Sequence, residues 1–569
     1  MAKIIHLTVR NEANLPHFAA MVRKVARHIA PDNLPDPQPT VIQCAGVAVG
    51  ISGPDDFVLA RGTNVAAGYL VDAAGSWDKP GIDRPDGAYA VFRSNTDVVE
   101  IVTDGLASRT VWYLQTDDFF VASTSQRAIV ALLGGFEFNP EVVPWMLSSG
   151  TLGPGLSWDR RIRCVPGASI LSLDRRAWRL GHRTEPVAFV PVDRSGKDHE
   201  QRVLEALRRA VGAAHVADPR WAITLSGGVD SRLILSLLTD THGLRAVTWG
   251  TQASRGDPDS DAAVAARLAA HFGLSHTYYP TDLSAASIEQ VFDRFIRNGE
   301  GRVDRLSGYM DGFALWEDLV RGGVRGIVRG DEAFGKQPVR TDAEVRFMGG
   351  MQVWSDHPGL PGLAELGLPS QTMPEFAFRR PAETLETWRD RLYQQYRVPF
   401  ILAALSDLKL GYVELINPLL CDSITRLIRE LPDTLRTHKV LLRSIAGTLS
   451  PDLPFASVNS IEAPDQLVRS PRAAEHLRVS LTDGAADQFL PGPLIKYAVD
   501  GLRVAQPGTL RQTGRRLRRT VAGWMRRLGP SDWPSERRAR GLDCNRIAFR
   551  AYVLSRTARL LRHDAEALS

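Results

Sequence analysis

The spacing of apolar positions divides the chain into stretches of different period. From Ile4 to about Leu180 short apolar runs recur at Ile4 to Val9, Val41 to Val49, Ala88 to Phe92, Val98 to Val102, Val111 to Leu114, Phe119 to Ala122 and Ala168 to Leu173. Turns rich in Gly, Asp, Asn and Pro separate them, the pattern of an antiparallel β-rich layer structure. From about Asp193 the period changes. His199 to Val216, Arg232 to Leu238 and Asp261 to Phe272 read as helices, alternating with strand-like runs at Trp221 to Leu225, Leu244 to Trp249 and Thr277 to Tyr279. Such alternation predicts a parallel sheet joined by right-handed crossovers. Beyond Thr341 the chain reads as largely helical, with a Pro- and Gly-rich loop from His357 to Pro374. Three domains are expected: 1–190, 191–500 and a helical extension over 501–569.

At 569 residues the chain is too long for one core, and its 44% apolar and 23% charged content is that of a soluble globular protein. Its four cysteines, Cys44, Cys164, Cys421 and Cys544, stand far apart, so neither a disulfide framework nor a zinc site is expected. There is no apolar run of membrane-spanning length and no signal-like N-terminus, which predicts a cytoplasmic location. The net charge of +5 conceals one uneven block: ten arginines against two acids between Arg511 and Arg540, with Trp524 and Trp533 among them. A solvated arginine-rich helical face is the plainer reading of that block, and no nucleic-acid role is assigned to it.

The most specific chemistry lies in Leu225-Ser226-Gly227-Gly228-Val229-Asp230-Ser231, between a predicted strand and a predicted helix. Glycines there let backbone N–H groups approach an anion, and the helix N-terminus adds its dipole. Ser226 and Ser231 supply hydroxyls, and Asp230 a carboxylate for Mg²⁺. The loop suits ATP cleaved between its α and β phosphates. Trp249, at the end of the next strand, and Gly330 complete the expected nucleotide-binding set. A second cluster, Gly330-Asp331-Glu332-Ala333-Phe334-Gly335, follows the β-prone run Val324 to Val328. With Lys336 it nearly matches a phosphate-binding GxxxxGK loop, but Gln337 replaces the expected hydroxyl and two carboxylates would face the phosphates. Asp331 is better read as a second Mg²⁺ ligand facing the Ser226 loop.

Together these motifs resemble the asparagine-synthetase superfamily. SGGVDS, Ser260-Asp261 with Ala265, Arg267 and Leu268, Gly273 to His276, and GDEAFG are similar to its synthetase domain. Asp86 to Ala90, Asp104-Gly105, Arg109, Trp112-Tyr113, Ala122-Ser123 and Val165 to Gly167 resemble its glutamine-amidotransferase domain. The resemblance implies an N-terminal Ntn-type β-sandwich followed by an adenine-nucleotide α-hydrolase-like (PP-loop) domain with a helical C-terminal part. Glutamine-hydrolysing relatives carry a cysteine after the initiator Met; here Ala2 stands there, implying an inactive glutaminase domain and an amine supplied by the substrate.

Val328 departs from the Tyr of β-lactam synthetases and the Glu of asparagine synthetases. The loop most resembles that of lasso-peptide macrolactam synthetases. The resemblance then implies ATP and Mg²⁺ as cofactors and a linear core peptide as substrate. Leader-binding and leader-peptidase proteins of the same pathway would be partners. Asp230, Asp331, Glu332 and Lys439 form the implied catalytic set, with Asp230 and Asp331 on the metal. Lys439 looks similar to one family lysine, although a lysine on a helix surface is the plainer reading. A later family lysine is missing from Phe455 to Glu462. Glu300, Asp304, Arg305 and Asp311 are candidates for the substrate channel, whereas Glu414 and Asp422 look structural. Two other readings remain: an amide or β-lactam synthetase acting on a small carboxylate, and a silent nucleotide-binding scaffold.

Overall fold

The computed structural model describes residues 3–35, 38–53, 55–282, 284–331, 334–461, 467–505 and 542–567. Glu332, the Arg511 to Arg540 block and Ala2 lie outside the described residues. The fold is mixed α/β, with two antiparallel sheets and one parallel sheet.

The N-terminal part contains β1 (Lys3–Val9), β2 (Thr40–Cys44), β3 (Val47–Ser52), β4 (Leu59–Arg61), β5 (Asn64–Leu70), β6 (Gly87–Ser94), β7 (Val98–Thr103), β8 (Trp112–Gln115), β9 (Phe119–Ser123), β10 (Arg163–Cys164), β11 (Ser169–Asp174) and β12 (Arg179–Thr184). They form two six-stranded sheets, ordered β10-β8-β9-β1-β3-β2 and β12-β11-β7-β6-β5-β4. All seven residues of β1 are buried, because it is central in its sheet and covered on both faces. The helices Leu15–His28 and Gln126–Leu133 lie on one side, and the second sheet lies on the other, where His6 stacks on Phe92 at 5.9 Å. The run Val41 to Val49, expected as one strand, is a hairpin. Ala45 and Gly46, at φ of +45° and +77°, reverse the chain between Cys44 and Val47.

The parallel sheet comprises β13 (Trp221–Thr224), β14 (Arg245–Gly250), β15 (Ser275–Pro280), β16 (Gly326–Val328) and β17 (Glu414–Ile416), in the order β15-β14-β13-β16-β17. Its centre is buried on both faces, so β13, β16 and β17 read as short continuous apolar runs rather than alternating ones. β17 is too short and too close to helical sequence to announce itself. The order reverses direction between β13 and β16. Loops leaving those two strands diverge, and a crevice opens at their carboxyl ends.

Buried ion pairs pin the two parts together. Lys3 Nζ lies 2.5 Å from Glu300, Arg109 Nη2 is 2.6 Å from Glu414, and Arg84 Nη1 is 2.7 Å from Asp422. The last described helix, Cys544–Glu566, is mostly buried; its Asp564 accepts from Arg127 Nε at 2.7 Å and its Arg550 Nε donates to Asp304 at 2.7 Å. A Pro-containing π-helix, Tyr393–Leu402, leads into the helix Ala403–Leu410. Pro399 lacks the N–H that would continue an ordinary ladder. Among the described residues no helix is long and apolar enough to cross a membrane.

His6 illustrates the cost of this burial. It is fully buried, neither ring nitrogen has a hydrogen-bond partner, and burial, reinforced by Arg175, pulls its pKa from 6.5 to about 4. The unfolded chain therefore takes up a proton below pH 6.5 that the folded chain refuses until about 4. Stability contributed by neutral His6 is complete above 6.5 and drains away as pH falls toward 4, by roughly 3 kcal/mol in total. His6→Phe should stabilise the protein increasingly between those limits. Urea unfolding of both proteins at about pH 7.5 and about pH 5 checks this, and a difference that does not grow with acidity would refute it.

Candidate active site

Two loops meet in the crevice between β13 and β16. The first, Ser226 to Gly228, opens the helix Val229–Leu237, whose N-cap Gly228 is extended at φ −81° and ψ 179° and provides no side-chain cap. Within the loop, Ser226 N–H donates to Ser231 Oγ at 3.1 Å and Gly228 N–H donates to Ser226 Oγ at 3.2 Å. Gly227 N–H donates to Asp261 Oδ1 at 3.1 Å. The serines therefore hold the loop's shape, and Asp261, from the next crossover helix, braces it. Leu225 and Val229 are buried in the apolar layer beneath.

The second loop follows β16. A Cβ on Gly330 would stand 2.8 Å from the Asp230 carbonyl carbon and 2.9 Å from Ser231 N, so only a glycine lets the two backbones approach this closely. The neighbouring carboxylates are each held by a cation. Lys439 Nζ donates to Asp230 Oδ2 at 2.6 Å, with both side chains largely buried. Arg329 grips Asp331 through Nε at 3.1 Å and Nη2 at 3.0 Å, and Asn417 Nδ2 donates to the same carboxylate at 3.1 Å.

Lys439 does not project from a helix surface. It precedes the helix Val440–Leu449, and both His438 and Lys439 have left-handed backbones, at φ +59° and +56°. Non-glycine residues rarely adopt this conformation, and strain of this kind clusters at functional sites. Gly335, at φ +90°, packs against Lys439, where a Cβ would lie 2.6 Å from its Cγ. The two ends of the Gly330 to Gly335 loop thus touch Asp230 and Lys439 in turn.

Where the late family lysine is missing, the segment Phe455 to Ser460 runs across the strand ends. Ala456 N–H donates to Gly227 O at 3.0 Å and Thr251 N–H donates to Ser460 O at 2.7 Å. Arg232 anchors the strap's start by donating to Leu453 O at 2.6 Å and Pro454 O at 3.0 Å, with its guanidinium 4.2 Å from the Phe455 ring centroid. Trp249 lies at the end of β14, edge-on to Trp316 at 5.6 Å.

Several expectations change. Glu300 is an interface residue: besides Lys3 it accepts from Ser125 Oγ at 2.5 Å and from Gln126 N–H at 2.8 Å. Burial opposes its charge, but Lys3, Ser125 and Arg127 outweigh that and hold its carboxyl below the ordinary range. Asp304 is engaged through Oδ2 by Arg550 and Arg546, and Asp311 accepts from Leu315 N–H at 2.9 Å, so both carboxylates have structural partners. Glu414 and Asp422 are structural, as expected: the second accepts from Gly105 N–H at 2.8 Å across the interface. Arg329, Asn417 and Asp261 were not assigned roles at the site. Only Asp261 carried a sequence signal, its place beside Ser260 at a helix start.

The donor set suits magnesium only in part. Two carboxylates, Asp230 and Asp331, follow adjacent strands, and Mg²⁺ is commonly bound by one or two carboxylates completed by phosphate oxygens and water. Among the described residues no group of three or more acidic, His or Cys side chains could hold a metal by itself. Any such ion would need the phosphates as ligands.

Residues 202–306 match the asparagine synthase family. The match covers β13, the Ser226 loop and β14 to β15 and supports placement in the asparagine-synthetase superfamily. No curated protein sequence matches the chain. Among solved structures, the chain is similar to glutamine phosphoribosylpyrophosphate amidotransferase from B. subtilis, complexed with ADP and GMP. That similarity has 10% identity over 48% of this chain and 65% of the other, with a TM-score of 0.20. The matched region spans just under two thirds of that protein's length.

The Gly330 contact predicts a stability contrast. Gly330→Ala should cost about 1–3 kcal/mol by forcing apart two backbones that cannot yield separately. Gly256→Ala, where a Cβ meets nothing within 4 Å, should be nearly neutral. Chemical denaturation of both variants measures the difference, and equal stabilities would show that the loops are not locked together.

Proposed function

We propose that this protein is an ATP-dependent amide ligase that activates a carboxylate as an acyl-adenylate and transfers the acyl group to an amine. The observation that carries the reading is the meeting of the Ser226 loop, Asp230, Lys439 and the Gly330-Asp331 loop at the switch point of a parallel sheet. Ligands of such sheets bind there. The uncapped start of the helix Val229–Leu237 offers N–H groups and a positive dipole end to phosphate. Asp230 and Asp331 would hold Mg²⁺, which when bound offsets the charge of the triphosphate.

In this reading a carboxylate oxygen attacks the α-phosphorus, the bond to the bridging oxygen breaks and pyrophosphate leaves. Lys439, at the edge of the Ser226 loop and bonded to Asp230, would be placed to turn to the departing phosphates, leaving Asp230 as a ligand for Mg²⁺. Arg329 similarly exchanges its partner, so the resident ion pairs hold both carboxylates in position until ATP arrives. An amine then attacks the acyl carbon, loses a proton and displaces AMP.

The substrate we infer is a linear core peptide whose Asp or Glu side chain is joined to its own N-terminal amine, as in lasso-peptide macrolactam synthetases. Leader-binding and leader-peptidase proteins would prepare it. This is supported by the sequence of GDEAFG and by the absence of an activated thiol among the described residues of the N-terminal part. There burial pushes the Cys164 thiol up to about 12, and Cys44 is exposed at the end of β2. Without a thiolate to liberate ammonia, the amine comes with the substrate. Holding the two ends of one peptide together would contribute on the order of 7–11 kcal/mol to the second step.

Incubation with ATP and a candidate core peptide should yield AMP, pyrophosphate and a peptide lighter by one water. ADP as product would overturn adenylation, and turnover on a small carboxylate without peptide would overturn the substrate assignment. Asp230→Asn and Lys439→Met should each reduce AMP release about 100-fold or more while leaving thermal stability within a few degrees. Full activity of Asp230→Asn would refute its role at the metal.

A further inference from the structure

On the far side of the Gly335-Lys336 turn two arginines converge with little to neutralise them. A Cβ placed on Gly350 would lie 3.3 Å from Arg397 Nη1 and 3.7 Å from Arg305 Nη2, so both guanidinium groups border one small volume. Both residues are partly buried. Neither Nε has a hydrogen-bond partner, and among the described residues Arg397 donates through Nη1 alone, to Met348 O at 3.4 Å. The carboxylate next to Arg305 in sequence, Asp304, is shared through Oδ2 between Arg550 at 2.7 Å and Arg546 at 3.1 Å and acts on Arg305 through its charge, so one carboxylate serves several arginines. Ser307 Oγ, two residues beyond Arg305, is buried without a partner as well. Burial, with Arg397 beside it, pulls the Arg305 guanidinium down to about 10. Two like charges in such surroundings repel, and several buried arginines elsewhere in this chain are matched by a carboxylate. Arg93 with Glu100, Arg127 with Asp564 and Arg302 with Asp407 are examples.

The pair borders the candidate active site from two directions. The Arg397 guanidinium lies 5.6 Å from the Tyr393 ring centroid, and Lys336, which follows the glycine packed on Lys439, lies 5.3 Å from the same ring. Gly308, three residues after Arg305, packs on Trp249 at the end of β14, where a Cβ would be 3.3 Å from the indole nitrogen. Arg397 belongs to the π-helix, an element often retained where it aims side chains at a ligand.

We propose that Arg305 and Arg397 bind a carboxylate of the substrate other than the one that is activated. Planar guanidinium forks match a carboxylate through paired charge-assisted hydrogen bonds. The bound carboxylate keeps its charge throughout the reaction and sets the register in which the reacting carboxylate meets ATP. The inference rests on the ligase reading above, extending it to substrate recognition. Its ligand is either a C-terminal α-carboxylate or a second acidic side chain.

Calorimetric titration without ATP separates these sources and keeps the test independent of turnover. The probes are N-acetylglutamine, with a free α-carboxylate, its isomer N-acetylisoglutamine, with a free side-chain carboxylate, and inorganic pyrophosphate. The intact protein should bind one isomer, which names the source, and R305M should weaken that binding about tenfold or more. R305M should also raise the melting temperature, because burial and the neighbouring Arg397 charge outweigh what Asp304 contributes at Arg305. R397Q, tested in parallel, should give the same loss of binding and guards against one variant failing to fold. Unchanged affinity in both variants, no binding of either isomer to the intact protein, or a loss confined to pyrophosphate would each overturn the proposal. Failure of the ligase reading would appear separately, as no AMP from any peptide with carboxylate binding intact.

Discussion

The site depends on one close approach, that of the Gly330 backbone to the peptide between Asp230 and Ser231. Sheet order makes the approach possible, because β13 and β16 are neighbours although about a hundred residues separate them in sequence. A side chain at Gly330 would part the two loops, and with them the two carboxylates that follow adjacent strands. The same logic operates at Gly335 against Lys439 and at Gly227, where a Cβ would meet Ala456. Three glycines therefore compress four segments, distant in sequence, around the crevice.

Charge is distributed on the same principle. Asp230 is matched by Lys439 and Asp331 by Arg329, so neither carboxylate faces the other uncompensated. A carboxylate engaged by a cation is held in place, yet a partly exposed pair contributes little to stability. Such pairs suit a site that must receive a highly charged ligand. Arg305 and Arg397, by contrast, lie beside one another, with Arg397 opposing the Arg305 charge.

The N-terminal sandwich is bound to the remainder by a different kind of contact. Lys3 with Glu300, Arg109 with Glu414 and Arg84 with Asp422 are largely removed from solvent, and removing one partner of a buried pair typically costs about 3–5 kcal/mol. These pairs draw on β1, on the loop after β7 and on the segment preceding β6. The sandwich is thereby a fixed wall for β17 and its neighbours, whatever chemistry its own interior retains.

What was readable along the chain follows from local physics. Alternation and period identified the β-rich part and the parallel-sheet part, and Ser226 to Ser231 announced a tight strand-to-helix turn through the short-range needs of glycine, hydroxyl and helix start. The Ala45-Gly46 hairpin, β17 and the π-helix escaped notice, since a turn inside an apolar run, a three-residue strand and a helix of altered pitch carry little period of their own. Lys439, Asn417 and Arg329 were beyond local reading for another reason. For Lys439 and Asn417 the significance lies in which carboxylate each meets, across 209 and 86 residues of chain, whereas Arg329 meets Asp331 two residues away and only the site around them gives the pair meaning. The sequence by itself determined the two kinds of sheet and the tight strand-to-helix turn, because both rest on contacts between neighbouring residues. Only the tertiary structure decided which cation holds which carboxylate and which arginines lie beside one another, because strand order, not spacing along the chain, brings those groups together.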